Sequence, residues 1–468
     1  MKQPRASPQP VTWRCDTAFL SYEREGARTR SPAHALVALE QRLKELRQPA
    51  REARGDTAMN GHQLSTRQGI DPGSPGAMPQ RTLKLGQRAA QVALAFLLGI
   101  GCFLSLFPWG RAITRSAFLL PALTSASEPA PLVLAGDPVR FRRITISSAH
   151  GPVFLDIYEP ATPPPPIPGG REAIINVVGV GDNRNVPQLV NLSRSFAREG
   201  IVVVNVGTPA LFQYQVSAMD GEAVVQAFAL LERWPGVDPH RVGIIAFSAG
   251  VTLACVGAAD PRIRDRVAFL AIFGGYFDAT SLLGTMGRRV QVVDGHTQPW
   301  RPDATPLYAL VSTVSNLLLP TDNTLLRKAF PIDKIGPPLT AQQQAQLSPD
   351  AAAFYHLLEG DEPGNVDRNL TVLSPQMKAL LIQVSPVSVI DQIRAPIQLL
   401  HDRNDPSIPF TQSQQFAAAL ARLHHPYDFA AYSIFSHVEI QSNLALGQLL
   451  SEGAKLFQAL YRILLVGS

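Results

Sequence analysis

Cysteine is scarce in this chain: 468 residues hold three, Cys15, Cys102 and Cys255. None has metal-ligand spacing, and Cys255 alone falls within 138–468, so no disulfide can close inside that stretch. A region of that size folds without one, which leaves the redox compartment open. A basic surface is also missing where folding is expected. The formal net charge is +5, but residues 1–88 carry 15 Lys/Arg against 8 Asp/Glu, 89–137 carry 2 against 2, and 138–468 carry 25 against 27. The surplus belongs to the leading tail, so no nucleic-acid partner is expected. His401, His424 and His425 have no acid or cysteine at ligand spacing, and "GVGDN" (179–183) lacks the spacing and lysine of a phosphate loop. Neither a metal nor another cofactor is therefore expected. No repeat occurs in 1–137, so nothing there reads as a propeller. The triplets at Asn191 and Asn369 match glycosylation acceptors, but triplets this short carry no weight.

The chain does have an uncharged run, "AAQVALAFLLGIGCFLSLFPWG", at 89–110. As a helix it reaches about 33 Å, enough to cross a bilayer core of about 30 Å. Arg67, Arg81, Lys84 and Arg88 precede it, while Arg111 and Arg115 follow. The positive-inside rule then puts the N-terminus in the cytoplasm and the large C-terminal part on the outer, periplasmic or extracellular side. From Met78 the segment reads as a signal sequence without a nearby cleavage site, hence as an uncleaved signal anchor. Residues 1–88, rich in Arg, Pro, Gln and Ser, read as a mostly disordered tail with one short helix at 34–47. Residues 111–137 read as a linker.

From residue 138 strand and helix patterns alternate. "RFRRITIS" and "GPVFLDIYEP" suit an antiparallel pair, and "PPPPIPGG" a stiff turn. "EAIINVVGVG", "IVVVNVG", "RVGIIAF" and "RVAFLAIF" are short apolar strands separated by helical patterns, which implies a parallel sheet with helices on both faces. The alternation resumes at "APIQLLHDRNDPSIPF", followed by helix, strand and a closing helix at 439–465. Between them, about 276–390 lacks clear strand alternation and reads as a mainly helical cap.

Three residues in this frame can carry chemistry. Ser248, in "VGIIAFSAGVTLA", ends an apolar strand and opens a helix of small residues, where a serine can project as a nucleophile; its plainer reading is a helix N-cap. Asp405 follows the next strand but one, in a turn with Pro406, and could equally be a turn-former. His437 follows the last strand, where a surface-loop histidine is the plainer reading. Together they have the order Ser, Asp, His, each at the carboxyl end of a strand.

These pieces resemble the α/β-hydrolase superfamily, nearest its esterase and dienelactone-hydrolase-like branch, which includes the catalytic domains of prolyl-oligopeptidase-type peptidases. The resemblance rests on "DPHRVGIIAFSAG", "SPVSVIDQIRAPIQLLHDRNDPSIP" and "FSHVEI", and spans about 138–275 and 386–468. It implies an α/β-hydrolase fold, to which the reading of the residues adds the cap insertion and one preceding transmembrane helix. Where the branch carries H-G-x-x-D-x-x-V-P, this chain has His401, Asp402, Asp405, Ile408 and Pro409, so Asp405 takes the acid role and Asp402 is the runner-up. Ala246 replaces the first glycine of G-x-S-x-G, and Val178-Gly179 stands where the family often has His-Gly. The resemblance also implies an oxyanion hole made by the backbone N–H of Ala249 and of Val180, with Gly181 as the alternative second donor. The function implied is a membrane-anchored serine hydrolase cleaving carboxylic esters, with a small ester or lipid-like acyl substrate. A serine peptidase or acyltransferase would use the same triad, and a non-catalytic scaffold of this fold is the rival of a different kind.

Overall fold

The computed structural model describes residues 91–92, 95–96, 99–101, 106–123, 125, 127–164, 170–437, 439–440 and 446–466. The tail expected over 1–88 lies outside them. The chain divides at residue 94 into two units, and the second, 95–468, holds all the architecture that follows.

Helix α1 spans Pro108–Leu119, runs into a 3-10 turn at Leu120–Leu123, and is followed by the short α2, Ala130–Ala135. The stretch expected as a linker is therefore helical and packed. Ala112, Ser116 and Leu119 make a buried stripe on α1 at i, i+4 and i+7, which the intervening Arg and Thr residues obscure in the sequence. The expected span over 89–110 also needs a correction at its end. Phe107 is extended and Pro108 opens α1, because proline lacks an N–H and drives the preceding residue out of helical geometry. Earlier in the run, 91–92, 95–96 and 99–101 are helical. Among the described residues no helix is long and apolar enough to cross a membrane.

Strands β1 (Val139–Ser148) and β2 (Gly151–Pro160) form an antiparallel hairpin. Next come β3 (Arg171–Val177), α3 (Pro187–Arg198), β4 (Val202–Gly207), α4 (Gly221–Leu231), β5 (Val237–Phe247), α5 (Val251–Ala259) and β6 (Val267–Phe273). The insertion that follows contains α6 (Ala279–Arg288), the hairpin β7 (Val290–Val293) and β8 (His296–Pro299), and helices α7 (Ala304–Val314), α8 (Pro320–Ala329), α9 (Pro349–Glu359), α10 (Val366–Val372) and α11 (Pro375–Gln383). Side-chain caps start several of them: Asp278 on Thr280 N–H, Asp303 on Thr305 N–H, Ser348 on Ala351 N–H and Ser374 on Met377 N–H. The β7–β8 hairpin was not anticipated, although its Asp294-Gly295 turn, with φ of 51° and 81°, is a strong hairpin signal. The chain then returns to the main sheet as β9 (Ile397–Asp402), α12 (Thr411–Arg422) and β10 (Tyr427–Tyr432). A two-residue pair, β11 (Phe435–Ser436) with β12 (Glu439–Ile440), and helix α13 (Leu446–Val466) complete it.

The eight-stranded sheet has the order β1-β2-β4-β3-β5-β6-β9-β10. β1, β2 and β4 pair antiparallel, and every pairing from β4 to β10 is parallel. That order and that single antiparallel end match the α/β-hydrolase-like fold. β3 and β4 are buried along their whole length, as parallel strands covered on both faces must be. One core lies between the sheet, α4, α5 and the insertion, around Phe228, Leu253 and Phe354. The other lies on the opposite face, where Leu192 and Phe196 of α3 meet Leu456, Leu460 and Ile463 of α13 and Leu119 of α1.

Candidate active site

The strand order reverses direction between β3 and β5, and in open α/β sheets the crevice beyond such a switch point is where ligands bind. Ser248 sits there, immediately after β5, with φ of 51°. A non-glycine residue in that left-handed region costs of order 1–3 kcal/mol and persists only when its surroundings impose it. The surroundings are small by necessity. A Cβ on Gly250 would lie 2.4 Å from the Val177 carbonyl oxygen and 2.6 Å from that of Val178. One on Gly179 would come within 3.0 Å of the Ser248 Cβ. Ala246 is fully buried in β5, so the methyl at the first position of the G-x-S-x-G pattern is accommodated in the core rather than at the turn.

Asp405 and His437 come together. Nδ1 of His437 lies 2.8 Å from Oδ2 of Asp405, and the carboxylate is wholly buried. Its other oxygen, Oδ1, accepts the backbone N–H groups of Ser407 (2.8 Å) and Ile408 (2.9 Å). His401 Nε2 is 3.3 Å from Oδ2 and 3.0 Å from the Ile408 carbonyl oxygen, while its Nδ1 is 2.7 Å from Ser413 Oγ. Both partners of Nε2 are acceptors, so that nitrogen carries the proton and Nδ1 accepts from the Ser413 hydroxyl. Burial alone would raise the Asp405 pKa. The attraction of His437 and the hydrogen bonds from His401 and His437 outweigh it and hold the carboxyl well below its usual range. His437 itself has φ of 60°. Gly274, at φ of 60° after β6, packs under the pair; a Cβ there would stand 3.3 Å from both Asp405 Oδ2 and His437 Nδ1.

Asp402 is placed elsewhere. Its oxygens accept the N–H of Asn404 (2.8 Å) and of Phe435 (2.7 Å), so it ties the end of β9 to the loop that carries His437. Burial raises its pKa, against three opposing backbone hydrogen bonds.

The loop after β3 provides the remaining element. Gly181 N–H donates to the Leu211 carbonyl at 2.7 Å and is thereby occupied, whereas among the described residues the Val180 N–H has no hydrogen-bond partner. Ala249 follows Ser248 in the first turn, where backbone N–H groups have no partner within the helix. Asn183 gathers this loop, its Nδ2 lying 3.1 Å from the Gly179 oxygen, 3.1 Å from that of Val180 and 3.3 Å from that of Gly181. The insertion braces the acid turn through Trp300 Nε1, which donates to the Asp405 carbonyl at 2.8 Å, and through Asp303, which accepts from Ser407 Oγ.

Two cavities open at this point, of about 290 and 380 Å³, and both are bordered by Val180, Ser248, Thr305 and His437. A strained serine, a buried Asp–His pair and backbone N–H groups left unbonded beside the serine are a set that can activate a hydroxyl and stabilise an oxyanion. Among the described residues no group of three His, Cys, Asp or Glu is placed to hold a metal ion. Sequence reasoning missed Gly274, Asn183 and Trp300. Only Asn183, inside the glycine-bearing loop, carried any local signal.

Comparison with protein-family models finds no match, and neither does comparison with curated protein sequences. Solved structures do match. A puromycin-hydrolyzing peptidase of Mycobacterium tuberculosis aligns at 19% identity and TM-score 0.39, over 69% of this chain and 38% of its own. Dipeptidyl peptidase 4 of Porphyromonas gingivalis aligns at 12% identity and TM-score 0.39, over 69% and 36%. The acylaminoacyl peptidase of Pyrococcus horikoshii aligns at 12% identity and TM-score 0.37, over 69% and 40%. This chain thus spans well under half the length of those proteins. Matches this distant say nothing about substrate, and the fold assignment stands on the strand order.

Proposed function

We propose that this chain is a serine hydrolase that cleaves acyl compounds, carboxylic esters first among them, through an acyl-enzyme on Ser248. The observation that carries the reading is the 2.8 Å contact between His437 Nδ1 and a buried Asp405, with His437 bordering the same cavities as the strained Ser248. In this mechanism Asp405 keeps the His437 proton on Nδ1, so that Nε2 carries none and acts as the base toward the Ser248 hydroxyl. The alkoxide attacks the carbonyl carbon, and the N–H groups of Val180 and Ala249 receive the oxyanion. Collapse of the tetrahedral species expels the alcohol, protonated by His437. Water deprotonated by His437 then releases the acid. Asp402, tied to Phe435, acts as a positioning residue.

Peptide-bond cleavage is the second reading, since the solved structures above are named as peptidases and the same triad serves amides. The apolar run ahead of Phe107 and the basic residues before it support a membrane tether with the hydrolase on the outer side.

The test treats the full chain and Ser248→Ala with a fluorophosphonate, then offers p-nitrophenyl esters and a peptidyl p-nitroanilide. Labelling and ester turnover that disappear in the variant support the reading. Anilide cleavage without ester turnover favours the peptidase, and a folded protein that does neither overturns both.

A further inference from the structure

The two cavities at Ser248 lie on opposite faces of the sheet and differ in chemistry. The one of about 380 Å³ runs under the insertion, past Tyr276 and Leu310, and is bordered by the polar groups of Asp303, Thr313 and Ser407. The one of about 290 Å³ runs into the body, between the sheet and helices α3 and α13, and its far wall is closed by Ala122 and Leu123 of the turn after α1. Among the described residues no Asp, Glu, Lys or Arg borders this second cavity. It follows β5 back from Ser248 to Ile245, three residues or about 10 Å along the strand. Ala271, directly opposite Ile245 on β6, and Ala459 on α13 leave the space that larger side chains would fill.

A hydrolase in which the scissile carbonyl sits at Ser248 has to place the acyl part on one side and the leaving group on the other. We infer that the body cavity between the sheet, α3 and α13 holds an unbranched hydrocarbon chain of the acyl group, while the polar leaving group occupies the cavity under the insertion. This rests on the acyl-enzyme reading given above. A channel without charge, reaching about 10 Å from the nucleophile, fits a medium or long acyl chain and gives a charged or polar acyl residue no partner. The chain stays in the body when the alcohol departs, so water reaches the acyl-enzyme through the other cavity.

The experiment uses the full chain and p-nitrophenyl acetate, hexanoate, decanoate and hexadecanoate. For wild type, kcat/KM is expected to climb by about fourfold per added CH2 until the chain fills the cavity, and then to flatten. Ala459→Trp and Ala271→Leu, which fill the channel from opposite walls, are expected to lower the decanoate-to-acetate ratio of kcat/KM by about 100-fold. Leu310→Trp, in the other cavity, is expected to leave that ratio in place. Fluorophosphonate labelling shows which variants remain folded at the site. A wild-type profile flat from acetate to decanoate overturns the inference whatever the variants do. So does an unchanged ratio in a labelled Ala459→Trp or Ala271→Leu protein, and in both cases the serine hydrolase survives. Absence of labelling and of turnover in wild type is a different failure, that of the reading beneath it.

Discussion

Replacing Asp405 by Asn separates the proposed acid from its neighbour Asp402 and exposes what the buried carboxylate does. Oδ1 faces two backbone donors, the N–H groups of Ser407 and Ile408, whereas Oδ2 faces His437 Nδ1 and the protonated Nε2 of His401. The asparagine oxygen is therefore drawn to the two backbone donors, which puts its NH2 toward His437. The amide then donates to Nδ1, the imidazole proton moves to Nε2, and the base can no longer accept from Ser248. The opposite orientation leaves two buried N–H groups facing an NH2, at about 1–3 kcal/mol each. The wrong tautomer in a triad costs about 10⁴ in kcat, or about 5 kcal/mol of barrier. Asp405→Asn should thus lose about 10⁴ in kcat for p-nitrophenyl acetate with KM little changed. Asp402→Asn, which disturbs the hydrogen bond to Phe435 N–H but leaves the Asp405–His437 pair, should lose far less. Active-site titration and circular dichroism would confirm that both variants are folded. A loss below about tenfold in Asp405→Asn, or an equal loss in Asp402→Asn, would refute the assignment of the acid.

Asn183→Ala removes the side chain that gathers three carbonyls of the loop after β3. It should cut kcat by about tenfold, short of the about 10²–10³ seen when an oxyanion donor is lost outright, and KM should move little. A change confined to KM would count against the role given to Val180. Burial pushes the Glu199 carboxyl up to about 7 from its ordinary 4.5, with Arg115 opposing and Asp137 adding to the shift. The folded chain then holds a proton between those values that the unfolded chain has released, so this stabilisation is complete below pH 4.5 and lost as pH rises through about 7. Glu199→Gln should therefore be the more stable protein at pH 8, by at most about 3 kcal/mol, and the gap should close near pH 4.5. Denaturation midpoints at the two pH values read it directly, and an equal gap at both would refute the sign.

Much of the fold was legible because its signals are local. Short apolar runs separated by helical patterns marked β3 to β6 and the return at β9, and each candidate residue stood just past one of those runs. The two-stranded β7–β8 excursion carries an Asp-Gly turn signal, but its strands are only four residues each and lie among proline-punctuated apolar stretches. The 111–137 segment misled because its buried stripe is narrow and lies among Arg, Ser and Thr. Only contact with α13 and α3 shows that it belongs to the domain.

By itself the sequence determined the layered sheet, the place of Ser248 on a sharp turn among small residues, and the order Ser, Asp, His, each just past the end of a strand. Periodicity and turn chemistry act over a few residues, so they can be read without knowing what packs where. Tertiary structure decided which of two aspartates, three positions apart, meets His437. It decided that Gly274 packs against the pair, where a Cβ would stand 3.3 Å from both partners, and that an uncharged cavity runs from Ser248 into the body. Those outcomes depend on which side chains from distant strands and helices share one space. Such close-packed contacts are set by the assembled layers rather than by any one stretch of chain.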